Sequence, residues 1–325
     1  MSKFLFSFSI IAFGLWFGYF IQILSRKRKV TFPIGVDRLR KLLQKLALLF
    51  FMPVTVLGAI WIVNIKAARI ALLPFIGFFA IFLGGVLAIV ASRLLRLEPR
   101  KTGALFACGS FTNIGSIGSL ICYVFLGEVG FALVPIYKLF EEITYYSIGF
   151  PITKLYSAGG SKGDSHLSRI KGLVTDPFII AIVSSMAIGA VLNVTGVERP
   201  QFYRTVNSVC IPLGTVLLLT SIGLAMRFRS VKEYLRECIT VSIIKFVLIP
   251  VSVTWLAFLI GFGNIDDGLP LKVVMILSSM PVAFIALIPA SIYDLDLDLA
   301  NSCWFFTTSL LVIVLPGLQY ALKIF

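Results

Sequence analysis

A chain of 325 residues that is 58% hydrophobic and only 14% charged, with a mean hydropathy of +0.99, lies far from the composition of a water-soluble domain. Each membrane-spanning helix needs about 20 apolar residues, so the length holds roughly ten spans and leaves little for any extramembrane domain. The net charge of +14 comes from basic residues in short loops beside apolar runs, a pattern that orients a membrane protein and argues against a nucleic-acid partner.

Phe4 to Leu24 is apolar, too long for the core of a signal peptide and not followed by a small-residue cleavage motif, and is expected to stay as the first helix. Arg26 to Lys29 follow it directly, with Arg38, Arg40 and Lys41 before the next run. The second span covers about Leu42 to Val63 and is interrupted by Pro53; the third covers about Ile70 to Ala91. Basic residues Arg93, Arg96, Arg100 and Lys101 precede a fourth span, Gly103 to Leu126, whose centre is crowded with Gly109, Ser110, Thr112, Asn113, Gly115, Ser116, Gly118 and Ser119. Such groups expose backbone and form hydrogen bonds, and inside a membrane they need protein or water beside them.

A Gly127-Glu128 turn leads into a fifth span, about Gly130 to Leu155, with Pro135 and Pro151. The longest polar segment follows, and it divides the chain into residues 1–156, a linker over 157–172, and residues 173–325. Five further spans fall near Leu173–Val194, Val206–Met226, Ile239–Gly261, Leu271–Tyr293 and Leu299–Leu322. Cys108, Cys122, Cys210, Cys238 and Cys303 lie in or beside apolar segments without CxxC spacing, so they read as small core residues; neither disulfides nor a metal site is expected.

Loop charge orients this arrangement. The loops after the odd-numbered spans carry 19 Lys and Arg residues, against 7 on the opposite face. Since cytoplasmic loops are enriched in these residues, the linker is cytoplasmic and both termini lie outside, in a plasma or inner membrane. The loop after the ninth span departs from the pattern: Asp294, Asp296 and Asp298 alternate with leucine. Leu299 stands where a calcium loop needs Gly, so a solvated acidic loop is the expectation.

Five spans on each side of a polar linker suggest duplication. Pro53 corresponds to Pro212 at an offset of 159, and Pro151 to Pro316 at an offset of 165. The polar centre of span four then has its counterpart in span nine, where Ser278, Ser279, Pro281 and Pro289 interrupt an apolar run. An odd number of spans per repeat inverts the two halves in the membrane, and interrupted helices at corresponding positions are a feature of secondary transporters. A helix broken inside the bilayer leaves N–H groups at the start of one half and carbonyls at the end of the other. The first favour anions and the second cations. Packing through small residues is the alternative explanation of the same stretch.

A second constellation lies in span five. Lys138 is three residues from Glu141 and four from Glu142, so either carboxylate can meet the ammonium on one helix face. Lys138 is read as a substrate or counter-ion group and Glu141 or Glu142 as a carrier of a proton or ion; a mutually neutralised structural pair is the alternative. Lys245 stands alone among apolar residues of span eight and is expected to snorkel towards an interface, as is Lys45. Enzymatic chemistry has no support: His166, the one histidine, sits in the linker, and the chain lacks HExxH, a P-loop, a dinucleotide fingerprint and GxSxG. No cofactor is expected, and an ATP-driven pump is excluded for want of a nucleotide site.

The segment GSFTNIGSIGSLICYVFLGEVGFALVPIY resembles the auxin efflux carrier family of secondary transporters, and SSMPVAFIALIPASIYDLDLDLANSCWFFTTSLLVIVLPGL resembles that family's ninth and tenth spans. TDPFIIAIVSSMAIG, from Thr175 to Gly189, is similar to the segment that opens its second half. The resemblance implies an all-α polytopic membrane protein of the bile-acid, arsenite and riboflavin transporter type. It implies ten transmembrane helices in two inverted five-helix repeats, with spans four and nine crossing as broken helices. It further implies small organic anions as substrates. Many members carry an Asn a few residues after the span-nine Pro, where this chain has Phe284 and Ile285. The expected substrate site is therefore Thr112, Asn113, Gly115 and Ser116 on one helix, Ser279 and Pro281 on the other, with Lys138 near by. The expected function is alternating-access export of an organic carboxylate, with a proton or sodium ion as candidate co-substrate and a homodimer compatible with the chain. Two alternatives are a sodium-coupled symporter of the bile-acid type and a non-transporting sensor or receptor that uses the same site.

Overall fold

The computed structural model describes residues 3–26, 35–62, 68–157, 177–226 and 231–323. Most of the 157–172 linker, with His166, lies outside these. In chain order the helices are α1 (Lys3–Arg26), α2 (Val36–Leu46), α3 (Met52–Ile60), α4 (Leu73–Leu94), α5 (Pro99–Ser110), α6 (Ser119–Tyr137), α7 (Glu141–Thr144) and α8 (Phe150–Leu155). They continue with α9 (Pro177–Val194), α10 (Phe202–Gly223), α11 (Leu235–Ile243), α12 (Ile249–Leu259), α13 (Leu269–Ser278), α14 (Leu287–Ile292), α15 (Leu297–Ser309) and α16 (Leu311–Ala321). Among the described residues the one β contact is an isolated antiparallel bridge between Thr112 and Val282.

Among the described residues, six helical stretches are long and apolar enough to cross a membrane, and seven if α15 and α16, bent by 48° at Leu310, count as one. The sequence suggested ten. Much of the difference comes from interruption, because α5, α13 and α14 end at breaks before reaching spanning length. The stretch Ile114–Leu155 is 42 residues long, which at helical rise is about 63 Å, roughly twice the hydrocarbon thickness. Gly127 divides it: with φ 77° and ψ −167° it leaves the helical conformation at the expected turn, in a region open to glycine and closed to most side chains.

Three prolines shape the helices in a common way. Ala47–Phe51, Tyr145–Gly149 and Ile244–Leu248 are widened turns, each ending two residues before Pro53, Pro151 and Pro250. Proline lacks an N–H and its ring collides with the carbonyl four residues earlier, so the preceding turn opens to the longer hydrogen-bond spacing.

The chain forms two compact units. The first comprises Met1–Ile65, Gly115–Pro135 and Thr175–Arg227. In it α1 lies along α10, with Gly14 and Gly18 against Leu219, Thr220 and Gly223, and the buried Gln22 Nε2 donates to the Leu224 carbonyl at 2.7 Å. A polar cluster ties its helix ends together. Arg199 pairs with Glu128 and donates to the Gly58 carbonyl, Asn207 Nδ2 donates to Glu128 at 3.3 Å, and the Trp61 indole donates to the Val197 carbonyl at 2.7 Å.

The second unit comprises Lys66–Ile114, Ile136–Val174 and Phe228–Phe325. Its α4 and α5 approach closely because small residues face each other, Gly84 and Ala88 against Gly109, and Gly85 against Ser110. Packing through small residues therefore accounts for Gly109, part of the crowded centre of span four. A methyl group added at Gly109 would sit 2.6 Å from both the Gly84 carbonyl oxygen and the Ala88 Cβ. Gly109→Ala is expected to destabilise the fold by about 1–3 kcal/mol, read as a lower melting midpoint of the detergent-solubilised protein.

Candidate functional site

The second unit contains two unwound segments that pair with each other. Helix α5 begins on Pro99, favourable at a first helical position because its missing N–H would have no partner there, and it ends at Ser110. Phe111 is extended, with φ −88° and ψ 122°, and the helix resumes at Ile114. Ser110, Thr112 and Asn113 are weak helix formers whose side chains compete for backbone hydrogen bonds. Helix α13 likewise ends at Ser278 before Met280-Pro281. Pro281 disfavours helical geometry in the residue before it, Ala283 is extended with φ −73° and ψ 146°, and a helical turn resumes at Phe284.

The two runs satisfy one another. Asn113 N–H donates to the Pro281 carbonyl at 2.9 Å, and Ala283 N–H donates to the Phe111 carbonyl at 3.0 Å. Proline has no N–H to leave orphaned, so Pro281 contributes only what the pairing uses. The central residues, Thr112 and Val282, direct their N–H groups away from each other, and each finds a hydroxyl. Thr112 N–H donates to the Tyr145 hydroxyl at 3.1 Å and Val282 N–H to Thr307 Oγ1 at 3.2 Å. Phe111 packs its ring on Tyr145, with centroids 4.2 Å apart.

A chain of polar contacts runs outward from Thr112. The Tyr145 hydroxyl donates to Glu141 Oε1 at 2.8 Å, and Lys138 Nζ lies 3.1 Å from Glu141 Oε2 and 3.9 Å from Glu142 Oε1. On another side Lys245 Nζ donates to Thr112 Oγ1 at 2.7 Å. Lys245 has 0% exposure, and among the described residues it is the one buried lysine or arginine. The expectation that it snorkels to an interface is corrected: its amine ends at the unwound run of α5. Lys45, by contrast, is exposed. Tyr145 and Lys245 both belong to widened turns, those ahead of Pro151 and Pro250.

Of the residues expected at the site, Thr112, Asn113 and Pro281 lie on the pairing itself and are buried. Ser279 is one residue past α13, and its hydroxyl donates back to the Met275 carbonyl at 2.7 Å. Gly115 and Ser116 follow in the turn Ile114–Gly118 and fall in the first unit, so the pairing does not include them. Lys138, Glu141 and Glu142 form the expected cluster, joined to Thr112 through Tyr145. Phe284 stands edge-on to Trp304, with centroids 5.7 Å apart. Sequence reasoning missed Tyr145 and Thr307, and misread Lys245. Lysine in an apolar run shortly before a proline was the available signal.

The acidic loop is more structured than expected. Arg100 pairs with Asp294 at 2.9 Å; Asp296 caps α15 by accepting from Leu299 N–H at 2.9 Å and accepts the Tyr234 hydroxyl at 3.2 Å. Among the described residues no group of three His, Cys, Asp or Glu side chains is arranged to hold a metal ion.

Residues 3–318 match the family described as "Membrane transport protein". The chain is 24% identical over 247 residues to an "Uncharacterized transporter" of Methanothermobacter thermautotrophicus, covering 76% of this chain and 77% of the relative. It is 26% identical over 309 residues to an "Uncharacterized transporter" of Methanocaldococcus jannaschii, covering 92% and 93%. A "Putative malonate transporter" of Rhizobium meliloti is 23% identical over 218 residues, 66% and 65% of the two chains.

Tyr145→Phe removes the acceptor of the Thr112 N–H and a donor to Glu141 without changing ring packing. An unsatisfied buried group costs about 1–3 kcal/mol, so the variant should melt at a lower temperature while keeping its helix content by circular dichroism.

Proposed function

Because the chain belongs to the membrane transport protein family, the auxin efflux carrier family that its sequence resembles, we propose that it is a secondary carrier that exports a small organic anion by alternating access. The observation that carries this reading is the antiparallel pairing of the unwound runs Phe111–Asn113 and Pro281–Ala283, with polar side chains gathered on one of them. Non-helical backbone is tolerated at membrane depth where protein or a cavity satisfies it, and paired broken helices near the midplane are where many secondary transporters bind substrate.

Asn113 and the backbone around Thr112 are the substrate contacts on the first broken helix, with Ser279 and Pro281 on the second. The inverted-repeat organisation gains support from a correspondence in the pairing. Thr112 and Val282 take the same role 170 residues apart, and the hydroxyls that accept their N–H groups, Tyr145 and Thr307, are 162 residues apart. Both offsets approach those of the proline pairs. A small dicarboxylate is the favoured cargo, in keeping with the name of the Rhizobium relative. With both termini outside, an inside-negative potential drives an anion outward, each elementary charge gaining about 2.3 kcal/mol per 100 mV.

In proteoliposomes loaded with radiolabelled malonate or a related carboxylate, an imposed inside-negative potential should accelerate efflux from the wild type. Asn113→Ala should reduce the rate about tenfold or more, on the scale of one or two lost polar contacts to a charged group. Failure of the wild type to move any organic anion would refute the carrier reading, and binding without flux would instead identify a receptor.

A further inference from the structure

Lys245 places its side-chain amine where a cation-coupled carrier would need a bound ion. Helix α5 ends at Ser110 inside the apolar core of the second unit, and the carbonyl end of a helix carries partial negative charge. In secondary transporters with broken helices, such carbonyl ends and the unwound backbone beside them coordinate sodium ions or protons. Two residues beyond Ser110, Thr112 presents its hydroxyl oxygen to the Lys245 amine at 2.7 Å. The other polar side chains that bear on this amine are the carboxylate of Glu141 and the thiol of Cys108, both in the same unit.

The position is built. Lys245 lies in the widened turn Ile244–Leu248 that Pro250 imposes on its helix. Its side chain is fully buried, and among the described residues it forms no ion pair within 4.0 Å. Burying an ammonium is costly unless oxygen ligands and a nearby negative charge offset it. Thr112, the end of α5 and Glu141 supply the kinds of group that would hold a monovalent metal ion.

We propose that the Lys245 ammonium is a tethered substitute for a coupling cation, so that the broken-helix crossing is held together, and its anion site completed, without sodium. This rests on the carrier reading for its transport consequence, while its structural consequence is independent of it. The chain would then be a sodium-independent carrier, and the positive charge that moves with the helices would be part of the protein.

The test compares thermal melting of the purified, detergent-solubilised full chain in sodium, potassium, methylammonium and N-methylglucamine chlorides at equal ionic strength. The wild type should melt at the same temperature in all four. Lys245→Ala should melt lower in N-methylglucamine and recover by a few degrees in sodium, potassium or methylammonium, because a ligand that binds only the folded state raises the midpoint. Sodium-specific stabilisation of the wild type would overturn the proposal, and so would a Lys245→Ala protein that melts like the wild type and ignores all the cations. If Lys245→Ala does not fold, the wild-type series decides alone. Flux in proteoliposomes then separates the two ideas: a wild type that is indifferent to sodium yet moves no anion retains the tethered cation and loses the carrier.

Discussion

Backbone amides and carbonyls cannot be left unpaired away from water, and the second unit is arranged around that constraint. Two helices are interrupted in an apolar interior, at Phe111–Asn113 and at Met280–Ala283, and the groups released by one interruption are satisfied by the other. The pairing alone leaves the outward N–H groups of Thr112 and Val282, and hydroxyls from Tyr145 and Thr307 close the account. Each unwound run is thus determined from two sides. That gives irregular backbone the definition that a ligand site requires, since a segment held by a single contact would relax into competing arrangements.

Prolines do more here than stop helices. The widened turns before Pro151 and Pro250 contain Tyr145 and Lys245, the two side chains that meet Thr112. Opening a turn inserts a residue into the helical repeat, which rotates the residues on either side out of their regular phase and re-aims them. The glycine and serine face of α4 and α5 works with this, because Gly84 and Gly109 bring the two backbones close enough for a compact polar centre. Polar side chains in an apolar setting need such precise placement, whereas apolar neighbours tolerate a looser fit.

The first unit uses polarity differently. Its ion pair, Arg199 with Glu128, is joined by Asn207, the Gly58 carbonyl and the Trp61 indole at the ends of helices and at the Gly127 turn. Here the charges fasten loops to helix ends. In the second unit the chain from Lys138 through Glu141 and Tyr145 reaches an unwound segment within the core. Only the second pattern carries ionisable groups to an unwound run buried within a unit's core, which is why the candidate site is assigned there.

Composition determined that this is a membrane protein, because no soluble fold could bury so much apolar surface, and the length of its apolar runs marked them as helices. The crowding of Gly, Ser, Thr and Asn around Asn113, and the Pro281 break, marked the two interruptions, because in the interior of a helix these residues weaken or break it. The i, i+3 and i, i+4 spacing likewise made the Lys138 cluster readable, since one helix brings those side chains together without help. Tertiary structure decided what one helix cannot. The partner of Thr112 is Lys245, 133 residues away, and neither that contact nor the Thr307 hydroxyl behind Val282 follows from any local rule. An isolated lysine in an apolar run can reach for an interface or stay inside; which of these occurs depends on whether a distant segment offers oxygen, and here the broken end of α5 does.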